Sequence, residues 1–277
     1  MPGTLYVVAT PIGHLDDISL RALETLKAVK LIACEDTRHS KKLLNHFGIT
    51  TPLFALHAHN EEACADVLIE RLVAGDDIGL ISDAGTPLIS DPGCRFVAQA
   101  KSLGITVSPL PGACAAIAAL SVAGLPSHTF HFVGFLSSKG GARKKQLATL
   151  AHESPTLIFY EAPHRIIETL SDMVVVFGPE RMACLAREMT KTFETVLRLP
   201  LAELLALVQK DPNQTRGEMV LLIQGDSQKS HQAHHLAPEH IYQLLQAELP
   251  PSKAAKLAAK ITGLSKKDLY LGGDQSD

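Results

Sequence analysis

Hydrophobic positions in the first 110 residues come in two alternating textures. Short apolar, β-branched-rich runs at 5–9, 31–34, 53–56, 78–82 and 106–109 are separated by longer segments whose apolar residues recur every three or four positions. Short runs bounded by turn residues read as strands, and the longer period reads as amphipathic helix. In 18–29, Leu20, Leu23, Leu26 and Val29 share one helical stripe, and 63–75 repeats the pattern before a terminating Gly75. Helix starts are expected at Asp17, at Asn60 with the acids after it, and at Asp91 with Pro92 in the first helical position. Strand and helix in alternation predict a parallel sheet covered by helices.

The small-residue segment "LPGACAAIAALSVAGLP" at 110–126 predicts a helix that bridges to a second unit. There, strands are expected at 130–135, 156–160, 183–187, 193–199 and 219–224, and helices at 142–152, 165–177 and 201–210. Two successive strands without a helix between them, 183–187 and 193–199, imply an antiparallel pair and so a mixed sheet. Residues 225–235 are polar and aperiodic, as a linker is. Short helices are expected beyond it at 238–248, 252–262 and 265–270, a packet too small to stand without docking. The expected architecture is therefore α/β: a domain at 1–113 with a parallel sheet, a second at 114–226 with a mixed sheet, and a small helical extension at 236–277.

Composition narrows the class. The 277 residues are 46% hydrophobic and 20% charged, values of a globular chain rather than a disordered one. No run approaches the roughly 20 apolar residues of a bilayer crossing, and the first residues form no signal sequence, so the expected compartment is the cytoplasm. Five scattered cysteines, Cys34, Cys64, Cys94, Cys114 and Cys184, offer neither a disulfide framework nor a zinc site. Net charge is −3, but positive charge gathers in two places. One is "SSKGGARKKQ" at 137–146, with Lys139, Arg143, Lys144 and Lys145; the other is 251–267, with Lys253, Lys256, Lys260, Lys266 and Lys267 and no acid. Each reads as a solvated face or as a phosphate-docking patch.

In a parallel sheet the loops that follow the strands share one edge, where ligands bind. Here those loops are "TPIGHLDD" at 10–17, "EDTR" at 35–38, "HAHNEE" at 57–62, "DAGTPLISD" at 83–91 and "PGAC" at 111–114. Four of the five carry carboxylates and one carries an arginine. Such an edge repels a pyrophosphate, and the glycine-rich phosphate motifs G-x-G-x-x-G and G-x-x-x-x-G-K-[ST] are missing. It suits a ligand with positive charge and sugar hydroxyls. Asp91 reads as a helix cap and Asp83 as a ligand contact. His57 and His59 stand two apart beside Glu61 and Glu62, but no third ligand stands at a supporting distance, so no metal is expected. In the second half, "YEAPHR" at 160–165 and "LAREMTKTFE" at 185–194 again place charged residues directly after strands.

These loops, together with "PLPGACAAIAALSVAGLP" and "RGEMVLLI", closely resemble in order and spacing the bacterial rRNA 2′-O-methyltransferases of the tetrapyrrole methylase superfamily. The resemblance covers nearly the whole chain. It implies two α/β domains with S-adenosylmethionine in the cleft between them, a homodimer, and methylation of the 2′-oxygen of a cytidine in the decoding region of 16S rRNA in the small ribosomal subunit. Carried over by position, it implies that Pro11, Asp83, Ala84, Gly85, Thr86, Pro87, Ile89 and Ser90 contact the cofactor from the first domain, with Ala113 and Cys114 at the bridge. Tyr160, Leu185, Ala186, Glu218 and Met219 close the site from the second. The attacking hydroxyl must lose a proton, and Asp36, Asp83, Glu161 and Arg187 are the expected catalytic groups. Arg38, His164, Arg165 and Lys191 are the expected phosphate clamps beside the two basic patches. Two other readings stay open: a tetrapyrrole methyltransferase of the cobalamin pathway, and a non-catalytic RNA-binding or ribosome-binding protein.

Overall fold

Five short strands, β1 (Leu5–Val8), β2 (Leu31–Cys34), β3 (Leu53–Ala55), β4 (Ile78–Ile81) and β5 (Val107–Leu110), form one parallel sheet in the order β3-β2-β4-β1-β5. The computed structural model describes residues 1–57, 61–226 and 238–262. Helices α1 (Leu20–Ala28), α2 (Thr37–His46), α3 (Glu61–Val73) and α4 (Cys94–Ser102) accompany the sheet. Side chains alternate across each strand, so both faces are buried. Leu31, Ala33, Ile78 and Leu80 pack with Leu68 and Leu72 of α3 and Phe96 of α4. Ile32, Cys34 and Ile81 pack with Ala22 and Leu26 of α1 and Leu44 of α2.

The strand order reverses between β1 and β4, which lie side by side with Val8 opposite Ile81. At such a switch point the following loops diverge and leave a crevice. The two loops are tied at their base: Thr10 N–H donates to the Gly85 carbonyl at 2.9 Å and Gly85 N–H to the Thr10 carbonyl at 3.1 Å.

The second sheet is mixed, as expected. Strands β6 (Phe130–Phe135), β7 (Thr156–Glu161), β8 (Met182–Arg187), β9 (Thr195–Pro200) and β10 (Met219–Ile223) lie in the order β6-β7-β10-β8-β9. Only β6 and β7 pair in parallel; the other neighbours are antiparallel. Helices α6 (Gly140–Leu150), α7 (Ile166–Phe177) and α8 (Leu201–Lys210) cover one face. The small-residue bridge helix α5 (Ala115–Val122) packs Ala116, Ala119 and Leu120 against Ile158, Ala186 and Val220 on the other. Residues Met1–Gly225, which hold both sheets, form one compact unit.

A second unit, Asp226–Asp277, contains α9 (Pro238–Glu248) and α10 (Pro251–Thr262). Tyr242 packs there with Ala254, Ala255 and Ala258. The helix expected at 265–270, the lysines Lys266 and Lys267, most of the expected linker, and His59 with Asn60 lie outside the described residues.

Three starting signals differ from expectation. Helix α1 is capped by the Ser19 hydroxyl, which accepts from Ala22 N–H, while Asp17 closes a preceding short turn. Helix α4 starts after Gly93, whose φ of 115° has no penalty only for glycine. Glu61 of α3 accepts from the Gly93 and Arg95 amides at 3.1 and 2.9 Å, so the cap comes from another helix and Asp91 is left for other work. Strand β9 starts at Thr195 rather than 193, because the preceding residues form a turn stitched by Thr190 N–H to Glu194.

Candidate active site

The crevice outside β1 and β4 opens into a cavity of about 400 Å³, within the ~300–1,000 Å³ usual for small-molecule sites. Its floor is the loop after β4: Asp83, Ala84, Gly85, Thr86, Ile89, Ser90 and Asp91. Leu88 and Ser90 both sit at φ 74°, a left-handed conformation costing a non-glycine residue about 1–3 kcal/mol. The loop is held in that shape. Ser82 Oγ donates to the Gly85 carbonyl at 2.9 Å and Thr86 Oγ1 to the Ala113 carbonyl at 3.0 Å. Gly85 stands at φ 83°, and a Cβ there would meet Ile12 at 3.2 Å and the Ala113 carbonyl at 3.5 Å. Glycine at 85 therefore lets this turn pack against Ile12 and the Ala113 carbonyl in a left-handed conformation.

The opposite wall comes from the second sheet: Phe135, Tyr160, Glu161, Ala186, Met189, Glu218, Met219 and Val220, with Cys114 and Ala115 at the bridge. Phe135 and Phe132 meet Tyr160 edge to face at 5.6 and 5.0 Å, an apolar wall suited to a flat ring. Burial, with Cys114 adding to it, pushes the Tyr160 hydroxyl up to about 12.

Electrostatics set the character of the cavity. Asp83, Asp91, Glu161 and Glu218 line it, and among the described residues no lysine or arginine does. The Asp91 carboxyl is pushed up to about 6, first by burial and then by the charges of Glu35 and Asp83. Glu35 is also raised, by burial and then by Asp83. Neighbouring carboxylate charges of this kind disfavour ionisation of Asp91 and Glu35, and a cationic ligand would relieve them. Glu161 differs: it accepts from Ala162 N–H, Thr169 Oγ1 and the Arg165 guanidinium, so its charge is balanced within the protein.

Several expected site residues stand elsewhere. Leu185 is wholly buried on the helix-covered face of β8, because strand alternation sends Leu185 and Ala186 to opposite sides and Ala186 to the cavity. Pro11 and Pro87 are buried beneath the lining, and Ala113 contributes its carbonyl to Thr86 rather than a wall. Asp36 caps α2, accepts from the Arg38 amide at 2.8 Å and pairs with the Arg38 guanidinium at 3.0 Å. Those bonds to Arg38 hold its carboxyl down at about 2. Its own amide donates to Asp83 Oδ1 at 3.2 Å, so Asp36 positions Asp83 and does not line the cavity. Arg187, 6% exposed, bonds Thr195 Oγ1 and the carbonyls of Phe193 and Arg216. It fastens loops of the second sheet and is not a cavity group.

Among the expected cations, Arg143 is 3% exposed and bonds Asp172 at 2.7 Å, which removes it from any surface patch. Lys144 is exposed but pairs with Asp172 at 3.4 Å, while Lys139, Lys145, His164 and Arg38 are exposed. Arg165 is held by Glu161. Lys191 is held between Glu188 and Glu218, at 2.8 Å from each. Lys253, Lys256 and Lys260 lie on one exposed face of α10.

The cavity also includes Ile12, Asp91, Ala115, Phe135, Ala162, Pro163, Met189 and Val220, none of which the sequence marked as site residues. Pro163 and Ala162 sit inside the quoted "YEAPHR", and Phe135 ends an expected strand. Those placements were the available signals.

Two α/β sheets facing one cavity match the family described as Tetrapyrrole (Corrin/Porphyrin) Methylases over residues 4–205. A uroporphyrin-III C-methyltransferase from Thermus thermophilus, solved with S-adenosyl homocysteine, shares the fold at TM-score 0.58 and 18% identity, over 82% of this chain and 100% of its own. Residues 233–271 match the family described as RsmI C-terminal HTH domain. Ribosomal RNA small subunit methyltransferase I of Pseudomonas aeruginosa is 58% identical over 272 residues, 97% of this chain and 95% of its own. The protein of that name from Xylella fastidiosa (strain Temecula1) is 55% identical over 98% of this chain and 99% of its own. The chain belongs to the ribosomal RNA small subunit methyltransferase I family.

Proposed function

We propose that the chain is an S-adenosylmethionine-dependent methyltransferase acting on the 2′-oxygen of a cytidine in the decoding region of 16S rRNA, within the small ribosomal subunit. The observation that carries the cofactor is the carboxylate-lined cavity, whose wall has no lysine or arginine among the described residues. S-adenosylmethionine bears a sulfonium and an ammonium, and when bound it supplies an electrophilic methyl group. Asp83 and the Gly85–Thr86 turn would hold its polar end, and Phe135 with Tyr160 its flat ring. The names of the curated relatives support rRNA as the substrate.

The chain's own contribution is positioning and proton acceptance. Asp91 fits proton acceptance better than Glu161. Asp91 lines the cavity with no ion-pair partner among the described residues, whereas the Glu161 lone pairs already accept three sets of donors. Residues 1–113 and 114–226 act in this reading as two domains that share the cavity, and 236–277 as an RNA-docking extension through Lys253, Lys256 and Lys260. The family resemblance extends the reading to a homodimer working in the cytoplasm.

The test is incubation of the purified chain with small subunits from a strain lacking this modification, with labelled S-adenosylmethionine, and mass mapping of the rRNA. One new 2′-O-methylcytidine in the decoding region is the expected product. Label on a tetrapyrrole but not on rRNA would select the cobalamin-pathway reading. Failure to bind the cofactor at all would select the non-catalytic one.

A further inference from the structure

A polyanion that presents one hydroxyl to this cavity meets the carboxylates of Asp83 and Asp91, which have no ion-pair partner among the described residues, while Glu161 and Glu218 are paired with Arg165 and Lys191. Most of the cations nearest the cavity are already engaged. Lys191 is held by Glu188 and Glu218, Arg165 by Glu161, and Arg187 by backbone carbonyls. An element that begins at the rim and carries unpaired cations can supply compensating charge.

Helix α2 is such an element. Its N-cap residue Asp36 donates its amide to Asp83 Oδ1 at 3.2 Å, so the helix starts at the cavity floor. Ser40 and Leu44 are its buried residues, whereas Arg38, Lys41, Lys42 and Asn45 are exposed. The helix itself, 37–46, contains no acid. Among the described residues neither Lys41 nor Lys42 has a carboxylate within ion-pair distance. Beside the helix lies a groove of about 500 Å³, whose wall includes Arg38, Lys41, Asn45 and Thr50 and no carboxylate. Its polarity is the reverse of that of the catalytic cavity. The Lys41 ammonium, the Asn45 amide and the Thr50 hydroxyl along this groove are donors of the kind that take successive phosphates of a nucleic-acid backbone, while the Arg38 guanidinium beside them is paired with Asp36.

We infer that the outer face of α2 and the groove beside it, through Lys41, Lys42, Asn45 and Thr50, are a contact surface for the phosphodiester backbone of the rRNA that presents its hydroxyl to the cavity. The inference rests on the rRNA reading above and adds a place on the first sheet where the substrate strand is held.

The experiment measures binding of the full chain to small ribosomal subunits over a salt series, for the parent and for Lys41→Gln/Lys42→Gln. Steady-state methylation is measured alongside, and calorimetric S-adenosylmethionine binding reports that the variant is folded. Each phosphate neutralised contributes about 0.7–0.9 to the slope of log affinity against log salt. The expected result is an affinity loss of about tenfold, a slope shallower by about 1.5, a rise in KM for subunits larger than any fall in kcat, and unaltered cofactor binding. Lys41→Arg/Lys42→Arg should recover affinity and slope. Unchanged affinity and slope would overturn the inference. So would an affinity loss without a change in slope, which marks contact with a ribosomal protein or a packing fault. A glutamine variant that fails to bind cofactor is replaced by the single Lys42→Gln, for which half the slope change is expected and none would overturn the inference. If the parent itself neither binds nor methylates subunits, the rRNA reading fails, and the surface assignment falls with it.

Discussion

Asp91 shows how one residue's role is set by partners far away in sequence. Asp-Pro ahead of an apolar stripe has the local form of a helix start, and nothing within ten residues argues otherwise. Glu61, some 30 positions earlier, supplies the cap instead, and Asp91 lines the cavity with Asp83, its carboxyl raised in part by the charge of Glu35. Its folded-state carboxyl lies near 6, above the ordinary 3.8, so the fold favours its protonated form. That contribution to stability is complete below about pH 4 and is lost as pH rises through about 6. Asparagine mimics the protonated carboxyl. In the cofactor-free chain, Asp91→Asn should therefore raise stability near pH 8 by about 2 kcal/mol, allowing for partial solvent screening, and by far less near pH 4. Thermal unfolding at the two pH values checks this, and an equal shift at both would refute it. Asp83, by contrast, was legible as a residue of the ligand-binding edge, and it lines the cavity, because the loop that carries it follows a strand of the parallel sheet. The positive φ of Leu88 and Ser90 was not, since neither is glycine or asparagine.

At the level of elements, nearly every strand and helix could be read from apolar period alone, because burial on one face or two fixes that period. Helix α2 escaped because its segment, "TRHSKKLLNH", carries only two large apolar residues and buries little more than Ser40 and Leu44. Strand order was not legible either: periodicity states which side chains are buried, not which strand lies beside which, so the adjacency of β1 and β4 emerges only in three dimensions. The run "ARKK" shows the limit of charge counting. Consecutive helical residues point about 100° apart, so Arg143 turns inward to Asp172 of α7 while Lys144 and Lys145 face solvent. Removing one partner of a buried pair leaves an uncompensated charge, at a cost of about 3–5 kcal/mol. Arg143→Ala should lose about 3 kcal/mol in denaturant unfolding, given the residual pairing of Lys144, and Lys145→Ala less than about 0.5 kcal/mol. The double variant Arg143→Met/Asp172→Leu should recover most of the loss. A cost for Lys145→Ala equal to that for Arg143→Ala would contradict the assignment of Arg143 to the interior.

Taken whole, the molecule separates charge by task. Acids gather in the cavity at the switch point of the first sheet, and exposed lysines gather on α2, on α6 and on α10. A net charge of −3 conceals this separation, which is why the total says little about the partner while the loop sequences say more. The division also explains why so many arginines are internal fasteners: each balances a carboxylate or gathers carbonyls that would otherwise add to the negative potential of the cavity. The most direct test is a calorimetric titration of the full chain with S-adenosylmethionine near pH 7, repeated with Asp83→Asn. One molecule bound per chain is predicted, with affinity at least tenfold weaker in the variant. A variant that binds S-adenosylmethionine as tightly as the parent would contradict the claim that these carboxylates hold a cationic methyl donor.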